Sequence, residues 1–283
     1  MKDAIKKALS NEETATRRSA IRMLGKLGMG TAAGLSTASF LGARPKEAIA
    51  EGFSSSAAHG VLNYALTLEY LEQFFYQVGT NQVVPSDAMP IFELIEKHEE
   101  SHVDTLTSVV NSLDGPPDPV SFERSDFDFT AGGTFDPFNN YATFLTLSQG
   151  FEDTGVRAYK GQAPAIMGTP YLTAALQIHS LEARHAAQVR RLRESRDDAD
   201  VEPWIVLDSG TDGTALEDIY GGDDMFPAEE NATQAGVDLT TLGDYTAEEA
   251  SAAFDEPLTE GTVRDIADPF TENDLDGDGD VDS

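Results

Sequence analysis

The sequence predicts an all-α fold: a four-helix bundle with a long central crossover, extended at its C-terminus by an acidic segment of low regular structure. Two observations predict it. Four stretches carry apolar residues at spacings of three and four, the period of an amphipathic helix. One pattern of polar residues, Glu-x6-Tyr-x22-Glu-x2-His, occurs twice at matched offsets and falls on those apolar stripes.

The first helix is expected over about 56–78, with Leu62, Leu66, Glu69, Gln73 and Tyr76 on one face. The second spans about 90–112 and opens at Pro90, a residue suited to a first turn. Its stripe is Ile91, Ile95, Glu99, His102, Leu106 and Val109. The segment 113–138, rich in Pro, Asp, Gly and Phe, is the crossover that joins two antiparallel hairpins. Within it, Ser121–Phe129 alternates Phe122, Phe127 and Phe129 with polar residues, which predicts a short strand or packing across the bundle. The third helix covers about 139–160 with Leu145, Ser148, Glu152, Val156 and Tyr159, and Gly161 is placed to stop it. The fourth covers about 170–195 with Leu172, Ala175, Glu182, His185, Val189 and Leu192.

The polar members of these stripes are Glu69, Glu99, His102, Glu152, Glu182 and His185. Positions i and i+3 share a helix face, so each Glu-x-x-His aims two side chains at one point. A carboxylate in a core costs several kcal/mol unless it is protonated, paired or bound to metal. Four carboxylates with two imidazoles suit a pair of metal ions, two iron or two manganese, within a bundle. Both metals accept Glu and His, so the ligand set does not choose between them. A chance spread of Glu in an acidic chain supplies one Glu-x-x-His more readily than two at matched offsets. Tyr76 and Tyr159 lie about two turns beyond Glu69 and Glu152 and are the candidate catalytic or supporting phenols. Each either hydrogen-bonds a ligand carboxylate or is a core aromatic with a wet hydroxyl. Glu72, Glu100 and His59 read as surface. His98 and His179 neighbour the ligand pairs, with His179 a candidate to support Glu182, and Arg184 is a candidate partner for a nearby carboxylate.

The segments Leu62–Tyr76 and Phe151–Pro164, with the two Glu-x-x-His pairs, resemble the ferritin-like domain family that includes plant desiccation-related proteins and many exported microbial relatives. The resemblance covers about 56–195, and a weaker likeness continues through Gln234–Leu239 and Phe254–Phe270. It implies a ferritin-like bundle whose ligands are Glu69, Glu99, His102, Glu152, Glu182 and His185. It implies no firm activity.

Composition narrows the rest. The chain has 283 residues, 50 acidic against 19 basic, and a net charge of −31. Only Lys97 and Lys160 are lysines beyond residue 50. Such a surface repels phosphates and excludes a nucleic-acid partner. Its acid-rich, lysine-poor balance is of the haloarchaeal type, in which molar salt screens the self-repulsion. No cysteine is present, so disulfides, thiol catalysis and Cys-ligated metals are excluded.

Residues 1–50 read as a signal peptide. Thr16-Arg17-Arg18-Ser19 resembles a twin-arginine export motif, an apolar Leu27–Ala43 run follows, and Ala48-Ile49-Ala50 is a small-residue cleavage site. The expectation is export to the cell surface or exterior, with no stable membrane span once the signal is removed. Residues 51–196 form the bundle and 197–283 the acidic extension, partly docked and ending in a disordered tail. In that extension Trp204–Leu207 is expected to dock on the bundle, and Thr246 with Glu249 to form a capping box. Asn231-Ala232-Thr233 is a glycosylation sequon, meaningful only with export. Asp274–Asp282 resembles the start of a calcium loop but ends before its last ligand. Metal ions are the expected partners, and self-association into a homo-oligomer stays open. The functional expectation is redox chemistry with O2 or peroxide at a diiron or dimanganese centre. The alternatives are a non-catalytic metal-binding or stress-protective exported protein, and an apo structural bundle.

Overall fold

The structure, a computed structural model, describes residues 55–197, 201–207 and 217–272. The twin-arginine motif, the cleavage site and the Asp-rich terminus lie outside these residues.

Four long helices dominate: α1 Ser55–Gln82, α2 Met89–Asn111, α3 Tyr141–Gln162 and α4 Tyr171–Asp197. Each matches an expected amphipathic stretch. The observed ends differ from the expected ones by one to four residues, where fraying makes boundaries soft. α1 packs chiefly on α2, and α3 on α4, as two antiparallel hairpins. Pro90 lies in the first turn of α2, where its missing N–H costs nothing. α3 is capped by Asn140, whose Oδ1 accepts from the N–H groups of Ala142 and Thr143 at 3.0 and 3.3 Å. Such a cap contributes about 1 kcal/mol. Among the described residues no helix is long and apolar enough to cross a membrane.

The core has two apolar ends separated by a polar layer. One end holds Phe75, Phe92, Phe144, Phe151 and Val189; the other holds Leu62, Leu66, Leu106, Ile166 and Ile178. The crossover between α2 and α3 starts on Asn63 of α1, which donates to Asp118 O and accepts from Val120 N. It then lays Phe127 and Phe129 into the first apolar end. Of the two arrangements expected for Ser121–Phe129, packing across the bundle is the one observed. The segment holds a 3-10 turn at Arg124–Asp126 and a single bridge from Phe127 to Thr271, not a strand.

The described part of the C-terminal extension lies along α3. It contains a two-residue hairpin, β1 Thr233–Gln234 with β2 Val237–Asp238, and two short helices, α5 Ala247–Ser251 and α6 Glu260–Ala267. The expected capping box is present, with Thr246 and Glu249 bonding each other's backbone N–H. The expected docking at Trp204–Leu207 is carried by Ile205. Ile205 is buried in the core while the Trp204 ring stays mostly exposed. The sequon residue Asn231 spends its side-chain N–H groups on Glu256 and Thr233 O.

Gly161 does not stop α3. The helix runs through it to Gln162, and a 3-10 turn, Ala163–Ile166, follows. A Cβ at Gly161 would lie 1.9 Å from Leu258 O, so the glycine lets the extension cross the helix in backbone contact. Leu258 N donates to Arg157 O at that crossing.

Candidate metal centre

The polar layer is built from the middle of all four helices. α1 contributes Glu69, α2 Glu99 and His102, α3 Glu152, and α4 Glu182 and His185; all six are buried, and the four glutamates have no exposed surface. The helical period puts them there: each occupies a stripe position between the apolar residues of the two core ends.

Their geometry has an approximate two-fold pattern. His102 Nδ1 lies 3.0 Å from Glu69 Oε2, 2.9 Å from Glu99 Oε2 and 3.3 Å from Glu182 Oε1. His185 Nδ1 lies 3.0 Å from Glu99 Oε1, 3.2 Å from Glu152 Oε2 and 3.8 Å from Glu182 Oε2. Glu99 and Glu182 thus each turn one oxygen to either histidine. Two groups that could hold a metal ion result, Glu69–Glu99–His102–Glu182 and Glu99–Glu152–Glu182–His185, each with its donor atoms within 4.8 Å of one another.

The phenols act crosswise. Tyr76 of α1 donates to Glu152 Oε1 of α3 at 2.5 Å, and Tyr159 of α3 donates to Glu69 Oε1 of α1. Of the two expectations for these phenols, the hydrogen bond to a carboxylate is the one observed. His98 joins the site on one side only: its Nδ1 is 2.9 Å from His185 Nε2, with the two rings stacked.

Electrostatics define what this layer accepts. Burial pushes the Glu69 carboxyl up to about 8, against the pull of His102. Burial likewise drives Glu152 well above the carboxylate range, against the pull of His185. Burial also raises Glu99, but its interactions with His102 and His185 outweigh it and hold that carboxyl at about 2. The histidines respond in kind. Burial disfavours their charge, yet the surrounding glutamates raise His102 to about 11 and His185 far above the imidazole range. Protons at the two Nδ1 atoms supply positive charge to the layer. They do not complete it. Both oxygens of Glu182, Glu99 Oε1 and Glu152 Oε2 are buried and accept no well-formed hydrogen bond. Buried acceptors without donors, facing one another around two imidazoles, fit a pair of cations.

Two residues, Glu72 and His59, differ from expectation, and two open candidates, His179 and Arg184, fall elsewhere. Glu72 is not a surface charge: it is 4 % exposed beside the polar layer. Burial raises its carboxyl well above the usual range, and the charges of Glu182, Glu152, Glu99 and Glu69 push the same way. The cause is that Glu72 lies three residues after Glu69 and four before Tyr76, on the inward side of α1, where Phe151 and Thr154 of α3 and Ile266 of the extension cover it. His59 is also buried rather than surface, because it lies three residues before Leu62 and so shares its face. His179 bonds the α3 backbone at Val156 O (3.0 Å), not a glutamate, and Arg184 is exposed. Glu100 is exposed as expected.

The arginines that do pair with buried carboxylates lie elsewhere. Arg190 of α4 bonds Asp153 of α3 at 2.5 and 3.3 Å, and Tyr220 OH completes that carboxylate at 2.5 Å. Arg157 is fully buried on Glu229 (2.9 Å) and on the carbonyls of Ile219, Gly221 and Glu256. Apolar-stripe reading has no place for such residues; the one available signal was a charge inside an otherwise apolar helix face.

A search of the curated proteins finds no match to the chain. Residues 58–195 match the family model described as ferritin-like domain. That segment runs from the first turn of α1 almost to the end of α4 and contains all six residues of the polar layer. With the four-helix architecture, the long crossover and a buried Glu/His layer that could hold metal, the match assigns the bundle: residues 58–195 are a ferritin-like domain.

Proposed function

We propose that the bundle binds two iron or two manganese ions and carries out redox chemistry with O2 or peroxide. The observation that supports this reading is the layer of four buried carboxylates, several of them without donors, arranged as two overlapping groups that share Glu99 and Glu182. In this reading Glu69 and His102 would hold one ion and Glu152 and His185 the other, with Glu99 and Glu182 available to both. The ions would supply one-electron steps between their +2 and +3 states. The chain's own residues do the rest. Tyr76 and Tyr159 hold the outer carboxylates of the two positions in place from the opposite hairpin. His98 fixes the ring of His185 through Nε2 and leaves Nδ1 facing the carboxylates. His102 and His185 give up their Nδ1 protons as cations enter, so loading releases acid. The apolar ends exclude bulk water from the layer.

The test is metal analysis of protein purified from its native host, followed by Fe(II) oxidation and peroxide removal by the loaded protein. Wild type should carry about two ions per chain and turn over one of these substrates, and Glu99→Ala with Glu182→Ala should lose both metal and activity. A loaded wild type that consumes neither substrate would overturn the redox reading. The closed setting of all six residues then favours the second reading, a metal-binding stress-protective protein without turnover.

We also propose export by the twin-arginine route. Replacing Arg17 and Arg18 with Lys should retain the protein inside the cell, and unchanged secretion would refute the assignment.

A further inference from the structure

The repeat that builds the polar layer is broken beside the layer itself. Three residues after the α1 glutamate stands Glu72; three residues after the α3 glutamate stands Gly155. The ligand-type and tyrosine positions on either side of this pair are the same in both halves. The two unlike positions face each other. A Cβ at Gly155 would lie 3.4 Å from Glu72 Oε1 and 3.5 Å from Glu182 Oε2. The carboxylate of Glu72 therefore reaches toward Glu182 through the space that the missing side chain leaves. On its outer side it is walled in by Leu68, Phe151, Thr154 and Ile266. It is 4 % exposed. Glu182, across the gap, has neither oxygen hydrogen-bonded.

The direction of the asymmetry is defined. Glu182 Oε2, the oxygen nearest the gap, is the one turned toward His185, while Oε1 is turned toward His102. His98 adds to the same side, since it engages Nε2 of His185, whereas Nε2 of His102 makes no hydrogen bond among the described residues.

We propose that Glu72 is a seventh protein ligand, serving the metal position of Glu152 and His185, so that the two positions are inequivalent and this one fills first. The inference rests on the dimetal reading above. A hard divalent cation gains from each added carboxylate, and a histidine oriented by an outer partner binds metal about 10- to 100-fold better than one without. The Glu152–His185 position has both advantages; the Glu69–His102 position has neither.

Titration of the metal-free full chain with Co(II) alone tests this, followed by calorimetry and by the visible absorption of the bound ion. Wild type should bind two ions in separated events, with affinities about tenfold or more apart. Glu72→Gln, which keeps the shape and removes the charge, should still bind two ions. Its first event should weaken about tenfold, converge on the second, and lose the spectrum of its highest-coordinate ion. A crystal structure of Co(II)-loaded wild type is the check independent of any variant. It should place a Glu72 oxygen at about 2.0–2.2 Å from the ion beside His185. Wild-type and Glu72→Gln titrations that superimpose, or a Glu72 carboxylate out of reach of both ions, would overturn the seventh ligand and leave the dimetal reading standing. A wild type that binds no Co(II), iron or manganese removes both.

Discussion

Glu152 and Asp153 are consecutive residues of α3, both carboxylates and both buried, yet they sit in opposite situations. Asp153 turns toward α4 and the extension, where Arg190 and Tyr220 satisfy it and Gln149 and Arg193 continue the network. Glu152 turns into the bundle, where it meets Glu99 and Glu182 and shares His185 with them. One Oε atom accepts from Tyr76; the other has no donor. The difference separates structural charge from functional charge. A buried carboxylate balanced by an arginine holds elements together, while a buried group of carboxylates with too few cationic partners is a site for something the chain does not itself supply.

The contrast breaks most visibly when metal is withdrawn. An ion held a thousandfold above its Kd stabilises the fold by about 4 kcal/mol, so stripping two should lower Tm by about 15 °C or more near pH 8. The loss should be smaller near pH 5, and the sign follows from the site. Glu69 is raised from 4.5 to about 8, so in the metal-free protein its contribution is present below pH 4.5 and lost as pH rises toward 8. His102, raised from 6.5 to about 11, likewise contributes fully below pH 6.5 and loses that contribution above it. Glu99, lowered to about 2, loses its contribution only on acidification below 4.5. The metal-free fold should therefore be most stable near pH 4.5 and lose stability as pH rises from there toward 8. Melting curves with and without chelator across pH 4–9 check it; a chelator effect that grows toward acid would contradict this account.

Asp153→Ala should cost about 3–5 kcal/mol, because it leaves Arg190 buried and unpaired. It should leave the metal content at the wild-type value. Asp153→Leu with Arg190→Met should recover much of the loss, since apolar replacements of a buried pair are often tolerated. Urea unfolding and metal analysis of the three proteins separate the two kinds of charge. Loss of metal in Asp153→Ala would show that they are not separable.

Gly161→Ala places a methyl group into Leu258 O and should cost about 1–3 kcal/mol as the extension lifts from α3. Hydrogen exchange at Leu258 N, which bonds Arg157 O, should rise while the α1 and α2 amides keep their protection. The smallest change is Tyr76→Phe. It removes one donor from Glu152 and should cost about 1–2 kcal/mol, weakening one metal position and sparing the other. Equal weakening of both positions would indicate that the phenol acts on the layer as a whole.

The four helices and the six residues of the polar layer were legible because the information is local and doubled. Each helix carries its own period, and the second copy of Glu-x6-Tyr-x22-Glu-x2-His guards against reading chance into the first. What was not legible depends on partners far along the chain. Glu72 reads as a surface charge in an acidic chain, and its burial depends on Phe151 and Thr154 of α3 and Ile266 of the extension, which pack beside it. Gly161 reads locally as a stop, and its role is fixed by Leu258, almost a hundred residues on. Asp153, Arg157 and Arg190 find their partners in Tyr220, Glu229 and each other, none of which a helical period can name. Phe127 and Phe129 alternate as a strand would, but they face an aromatic core end and pair with Thr271 at a single bridge.

Each two-helix half lends its phenol to the carboxylate of the other half, and turns its shared glutamate toward the other half's histidine. A single hairpin is thus an unfinished object, and a short chain holding one would become whole only against its own copy across a two-fold axis. Two copies fused in one gene keep that arrangement and are free to diverge. Glu72 opposite Gly155 is a place that identical copies cannot reach, because two glutamates would then contend for the room that one glycine leaves. Two halves that differ at one facing pair of positions are what permit an unequal pair of sites inside a symmetric frame.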